Sequence, residues 1–255
     1  MKQSLTLLIY LLSTCCIKAQ DLSLTGLITN YSQTGKIAKK WSYNVQVLSV
    51  YNSSNLTIEG KSFPSGHCHF VPHLIVNRKI NDKFSMGIGA AYGIHNIFGL
   101  KEHEPRFLVQ SSYSQKFARL SLNHRGRFEA RYPLNLNTNI RDAAAIFRYQ
   151  LGASYLLYNP KEFKKGLYVV ASNEAFLYLK GATNGPVSSK NGLLLSENWT
   201  NLGLGYSNGV NRVEVGYGFQ ALVRNRKQDM RYLNMLQINY HVTLNWDDLQ
   251  GWWYM

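Results

Sequence analysis

Acidic residues, cysteine, proline and long apolar runs are all scarce in this chain of 255 residues. Beyond the first twenty residues no run of about 18 apolar residues occurs, which excludes a helical membrane span. Charged residues make up only 16%, against roughly 25% in ordinary soluble domains. There are three cysteines, and Cys15 and Cys16 both lie near the start, so Cys68 stands alone in the rest and no internal disulfide is expected. Six prolines, 20 glycines and an apolar fraction of 45% exclude a disordered or collagen-like chain. Aromatic side chains, by contrast, are plentiful, with 17 Tyr, 11 Phe and 5 Trp. The basic excess is large: 28 Lys plus Arg against 14 Asp plus Glu give a net charge of +14. Low charge, many aromatics and no long apolar run make the membrane β-barrel the leading class.

Met1-Lys2, the apolar stretch Leu5 to Leu12 and the small residue Ala19 read as an export signal over 1–19. Cleavage near Ala19 or Gln20 leaves 20–255 as one domain with a net charge of +12. No Pro/Gly/Ser-rich linker divides it.

Apolar and polar residues alternate along this whole segment, as they do in strands with one apolar face. Trp41, Tyr43, Val45 and Val47 alternate with Ser42, Asn44 and Gln46; Phe84, Met86, Ile88, Ala90 and Tyr92 alternate with small residues. From Ala118 to Tyr132 the odd positions carry Arg119, Ser121, Asn123, Arg125, Arg127, Glu129 and Arg131. The period returns at Ile146–Leu157, Leu167–Leu177, Trp199–Tyr206, Arg212–Arg224 and Tyr232–Trp246, and more loosely at Phe70–Asn77 and Arg106–Tyr113. Connections alternate between short, turn-rich ones and longer ones, as in outer-membrane barrels with short periplasmic turns and long outer loops. The expected fold is all-β, a transmembrane antiparallel up-and-down barrel of about ten strands. Leu22–Tyr31 is left as an extra element, inside the lumen or part of a twelve-stranded arrangement. A soluble sandwich or lipocalin-like barrel would bury the apolar parity instead. Against it, Trp41, Phe84, Tyr113, Phe117, Tyr158, Tyr206 and Trp246 sit near strand ends, where an interface belt places its rings.

Lys39-Lys40-Trp41-Ser42, the stretch Asn123-His124-Arg125-Gly126-Arg127-Phe128-Glu129-Ala130-Arg131, and Asn173-Glu174-Ala175-Phe176 resemble a Gram-negative outer-membrane barrel family known as domain of unknown function 2490. The resemblance covers nearly all of residues 20–255, and the tail of nine residues after Trp246 departs from it. It implies fold and location, the cell outer membrane, and no particular chemistry.

Arg125, Arg127, Glu129 and Arg131 share one parity and are expected to line the lumen with Arg106, Arg148, Glu174, Arg212, Glu214, Gln220 and Arg224. Rings of guanidinium groups attract anions in pores. Equally, Arg–Glu pairs stitch a narrow barrel shut, since buried charges must be paired and about ten strands leave little open interior. The second reading is preferred. His67-Cys68-His69 with His73 carries ligand chemistry for zinc or copper, but a polar loop entering a strand explains it as well, so no metal and no cofactor is expected. No local Ser–His signature or carboxylate pair marks an enzyme. His124 falls on the apolar parity, which requires either a slip at Gly126 through a bulge or a neutral ring beside a partner.

The preferred function is therefore that of an integral outer-membrane barrel, narrow or closed, with a structural or loop-mediated binding role and no enzymatic activity. The alternatives are a small-solute channel preferring anions and an enzyme with a rim site. Outer-membrane lipid, lipopolysaccharide facing Lys101, Arg226, Lys227 and Arg231, and the barrel-assembly machinery are the expected partners. Nucleic acid is not expected, as no binding module is visible.

Overall fold

A computed structural model describes residues 22–58, 61–97, 100–157, 165–181, 195–223 and 230–245. The export signal, Tyr158, Arg224, Arg226, Lys227 and Trp246 lie outside the described residues. Eleven long strands build the molecule: β1 (Leu22–Ala38), β2 (Trp41–Asn52), β3 (Gly66–Lys79), β4 (Phe84–Ile97), β5 (Leu100–Lys116), β6 (Leu120–Arg131), β7 (Ala144–Leu156), β8 (Lys165–Gly181), β9 (Leu195–Asn208), β10 (Asn211–Val223) and β11 (Met230–Thr243). Each pairs antiparallel with its neighbour in sequence, and β11 returns to pair with β1. The sheet is thus a closed barrel with no free edge, so every strand has two partners. Its strands run from 12 to 17 residues. At about 3.3 Å per residue and a tilt of about 40°, a strand of about 13 residues rises about 33 Å, enough to cross an apolar band of about 25 Å.

The all-β up-and-down barrel is as the alternation predicts, and the number of strands is eleven. An up-and-down chain with an odd number of strands has its first and last running the same way. The closing pair is accordingly parallel, Leu22 opposite Arg231 through Thr34 opposite Thr243. The segment left undecided by sequence is the first part of β1, and polar and apolar residues are mixed on both its faces. Leu24 and Ile28 point inward and are buried, while Thr25, Tyr31 and Gln33 point outward. Those outward polar groups find partners within the sheet surface. Thr25 Oγ1 meets Ser54 Oγ at 2.9 Å, Tyr31 donates to Gln33, and Gln33 donates to the Tyr43 hydroxyl. Elsewhere the outward face is mainly apolar, with Ile88 and Phe107 each 66% exposed on one side and Leu202, Leu204, Val215, Tyr217 and Leu236 on another, while Asn173, Asn198 and Thr200 bond to one another on it.

Strand ends carry the expected turn chemistry. Asn208 Oδ1 accepts from the amides of Val210 and Asn211, and Gly209 takes a φ of +98°, which only glycine adopts freely. In the turn after β3, Lys79 pairs with Asp82 at 2.6 Å and holds its carboxyl below the usual range. Strand β3 starts before the predicted Phe70, and Pro72 explains the loose reading there. Pairing to β4 skips from Phe70–Ile94 to His73–Ala91, because proline offers no amide to the ladder. At the long-loop end a hairpin, Leu56–Ile58 with Lys61–Phe63, folds over the barrel, and Leu134–Asn135 adds to β5.

The parallel closure has a direct test. Thr29 and Ile238 are Cα partners across the seam. In a Cys68→Ser background, the pair Thr29→Cys with Ile238→Cys should oxidise to a disulfide, visible as a mobility shift that reductant reverses. Failure to cross-link, with both thiols freely alkylated, would remove β1 from the wall.

Candidate functional site

Register, more than sequence proximity, assembles the charged site. Pairing of β5 with β6 sets Arg106 opposite Arg131 and Gln110 opposite Arg127; pairing of β6 with β7 sets Arg127 opposite Arg148. All these side chains share the inward parity, together with Glu104, Glu129 and Glu174. Bringing five guanidinium groups so close demands carboxylates between them. Glu129, with 0% exposure, occupies the centre. Arg148 and Arg131 each donate to it at 2.8 Å, while Arg127 and Arg106 stand at 3.6 and 3.8 Å. Glu174 takes a two-pronged contact from Arg148, at 3.1 and 2.9 Å, and a further bond from Arg125 at 2.9 Å. Glu104 pairs with Arg106 and, at 3.7 Å, with Arg131. Arg127 completes its donors on Gln110, which in turn donates to Asn77. Arg148 also lies over the Phe176 ring at 4.2 Å and near Trp199 at 5.7 Å.

A buried charge costs several kcal/mol in lost hydration, and only geometry of this kind offsets it. The forked guanidinium suits the task because one arginine serves two carboxylates at once, as Arg148 does. A smaller pair lies nearer the short turns. Arg212 binds Glu214, which also accepts from Tyr168 at 3.1 Å and Asn239 at 2.8 Å. Gly205 is required here, since a Cβ would collide with the Tyr168 ring.

The facing wall of the lumen is apolar. Leu24, Ile28, Val50, Cys68, Ile97, Leu222, Leu233 and Met235 form a buried cluster, onto which Leu48 and the hairpin residues Leu56 and Phe63 pack. Between the two walls remains a cavity of about 150 Å³, and a wider polar one of about 540 Å³ opens below it. The lumen is filled towards the long loops and roomy towards the short turns.

The structure brings Arg106, Arg125, Arg127, Glu129, Arg131, Arg148 and Glu174 together. Arg212 and Glu214 form the separate lower pair, Gln220 lines the small cavity, and Arg224 lies outside the described residues. His67, Cys68, His69 and His73 do not converge. His67 reaches outward to Ser49 at 2.8 Å, and Cys68 leans on the Gly66 carbonyl. His73 faces the small cavity, and His69 contacts His95 at 2.6 Å. Because Arg106 can only donate, His95 accepts at Nε2 and carries its proton on Nδ1, which occupies the lone pair of His69. Among the described residues no group of three or more His, Cys, Asp or Glu could hold a metal. For His124 the register runs unbroken through Gly126, and its Nδ1 meets the Tyr149 hydroxyl at 2.7 Å, so a neighbour and not a bulge resolves it. Glu102, Glu104, His95 and Gln110 escaped the sequence reading. The first two share the parity of Arg106, but Pro105 and an assumed loop hid that β5 begins at Leu100.

The family model described as "Protein of unknown function (DUF2490)" matches residues 25–231, and the chain belongs to that family. Comparison with curated proteins finds no match. Among solved structures, LpxR from Salmonella typhimurium is similar at 8% identity, with a TM-score of 0.46 over 81% of this chain and 85% of its own.

Removing the central carboxylate should be severe. Glu129→Ala leaves Arg131 and Arg148 without a main partner in a dry interior, so we expect a loss of about 3–5 kcal/mol, read as a lower urea midpoint in detergent. A change under about 1 kcal/mol would show that the network is hydrated and loose.

Proposed function

We propose that this DUF2490 chain is an integral outer-membrane β-barrel, closed in its outer half, with a structural or loop-mediated binding role and no catalytic one. The observation that carries this reading is polarity turned inside out. Ile88 and Phe107 face outward at 66% exposure, while Glu129 and Arg127 sit inside at 0% and 2%. In water that arrangement would be costly; in lipid it is what the solvent demands. No helix of the described residues is long and apolar enough to cross a membrane. The short-turn end faces the periplasm and the long-loop end the outside, following the usual asymmetry of such barrels.

Closure follows from the Arg–Glu network meeting the apolar wall, with Leu56 and Phe63 as a cap. An enzymatic role lacks support at the rim: Ser49 and His67 touch, but among the described residues no carboxylate is paired with His67 to orient it. Outer-membrane lipid and lipopolysaccharide are the partners that fit the outer rim, where Lys101 is exposed. One observation favours a second reading, an anion-preferring channel for small solutes. The lower cavity of about 540 Å³ leads up to Arg125, one of five arginines set against three carboxylates in direct pairs.

Two experiments test these statements. Thiol labels in a Cys68→Ser background should be quenched by lipid-phase quenchers at positions 202 and 204 and protected at 125 and 127; the reverse pattern would show that the faces are assigned wrongly. In planar bilayers the protein should give no steady conductance. A steady current would favour the channel, and exchanging Arg125 and Arg127 for Glu should then shift its preference towards cations.

A further inference from the structure

The cavity between the two walls holds buried polar atoms without partners. Three strands each bury a lone-pair acceptor there with no partner: His73 Nε2 from β3, Gln220 Oε1 from β10 and Gln237 Oε1 from β11. His73 is 6% exposed and Gln220 2%. The chemistry of two of these atoms is fixed by their surroundings. His73 Nδ1 lies 3.1 Å from the Val71 carbonyl, which can only accept, so the proton is on Nδ1 and Nε2 is bare. The amide of Gln237 donates to Asn239 at 3.0 Å, which turns its oxygen into the cavity. Facing these acceptors, Arg125 keeps a buried donor, Nε, unused.

That pattern discriminates between ligands. An anion would satisfy Arg125 but press its lone pairs against three acceptors. A cation would suit the acceptors but meet the guanidinium groups of Arg125 and Arg127. A hydroxyl group both donates and accepts, so a compact set of hydroxyls answers both walls. Size is the second constraint. A cavity of about 150 Å³ has the volume known to hold a benzene-sized ring, so the ring fits here while some of its hydroxyls reach into the wide cavity that adjoins it. Trp199 also lines it, offering apolar surface to the C–H face of a ring. The cavity is continuous with the wide one below, since Asn30, Gln46, Arg125, Gln150, Asn201 and Gln237 line both.

We propose that the cavity is a binding site for one neutral polyhydroxylated ring, a single sugar or cyclitol, entering from the short-turn end. The proposal rests on the lumen being sealed above the site, and the two can fail separately: conductance reads the seal and binding reads the site.

The test uses the whole barrel in a sugar-free detergent such as an amine oxide. Calorimetric titrations are made with D-glucose, D-galactose and myo-inositol, and with sodium phosphate as the anion control. The expected result is saturable binding of at least one ring polyol, one per barrel, with none for phosphate. Gln220→Leu and His73→Phe should each weaken it about tenfold or more while keeping heat-modifiable migration, and Ser154→Ala, in the wide cavity, should leave it unchanged. Absence of saturable binding for all three polyols up to about 10 mM would overturn the proposal, as would saturable binding of phosphate. If Gln220→Leu then raised the unfolding temperature, the cavity would be one that holds ordered water alone.

Discussion

Glu129 is the group on which the interior depends. A barrel wall must turn alternate side chains inward, and on β5 to β8 those positions include five arginines. Without a carboxylate among them the guanidinium groups would repel one another in a medium that screens poorly. With it, four of the five gain a charge-assisted hydrogen bond or a near contact, Arg125 turning to Glu174 instead, and neighbouring strands are tied side to side. The network is therefore a cross-brace as much as a plug. A ring of arginines alone would have made a selective opening; arginines stitched by Glu104, Glu129 and Glu174 make a wall that leans into the lumen.

The other half of the interior solves the same filling problem with different chemistry. Leu24, Ile28, Leu233 and Met235 come from the two strands of the parallel seam and turn apolar surface inward. This forces the complementary positions of β1 outward with their hydroxyls and amides, and those positions remain compatible with a lipid surface only because partners lie within the sheet. Asn234 donates to Ser23, the Tyr31–Gln33–Tyr43 chain ends on the Leu244 carbonyl, and Thr25 meets Ser54. An outward polar group in such a wall costs little once its hydrogen bonds close locally.

Much of this was legible in the sequence, and what was not has physical causes. The alternation in β4, β6 and the first part of β2 marks wall strands directly, because their sets of outward apolar and inward polar or small residues largely obey one rule. The same rule misleads at β1, where both faces break it, so residues 22–31 could not be placed by pattern. Parity also located Arg125, Arg127, Glu129 and Arg131 on one face, but partners are a matter of register between strands. Nothing in the spacing shows that Arg148 would bridge Glu129 and Glu174, nor that His69 would turn to His95 and leave His73 to the cavity. Glu102 and Glu104 were hidden by a proline that interrupts the look of a strand without ending it.

An odd strand number joins these features. Eleven strands oblige the wall to close through a parallel pair, whose slanted hydrogen bonds are slightly weaker per residue than antiparallel ones. The apolar cluster lies against that seam, so burial of Leu24, Ile28, Leu233 and Met235 reinforces the closure where backbone pairing is least favourable. The charged network sits across the lumen on antiparallel strands, where its own carboxylates offset the cost of its buried arginines. Towards the long loops, apolar burial at the seam, the large ion-pair network across from it and a small polar gap where the two meet are thus one arrangement.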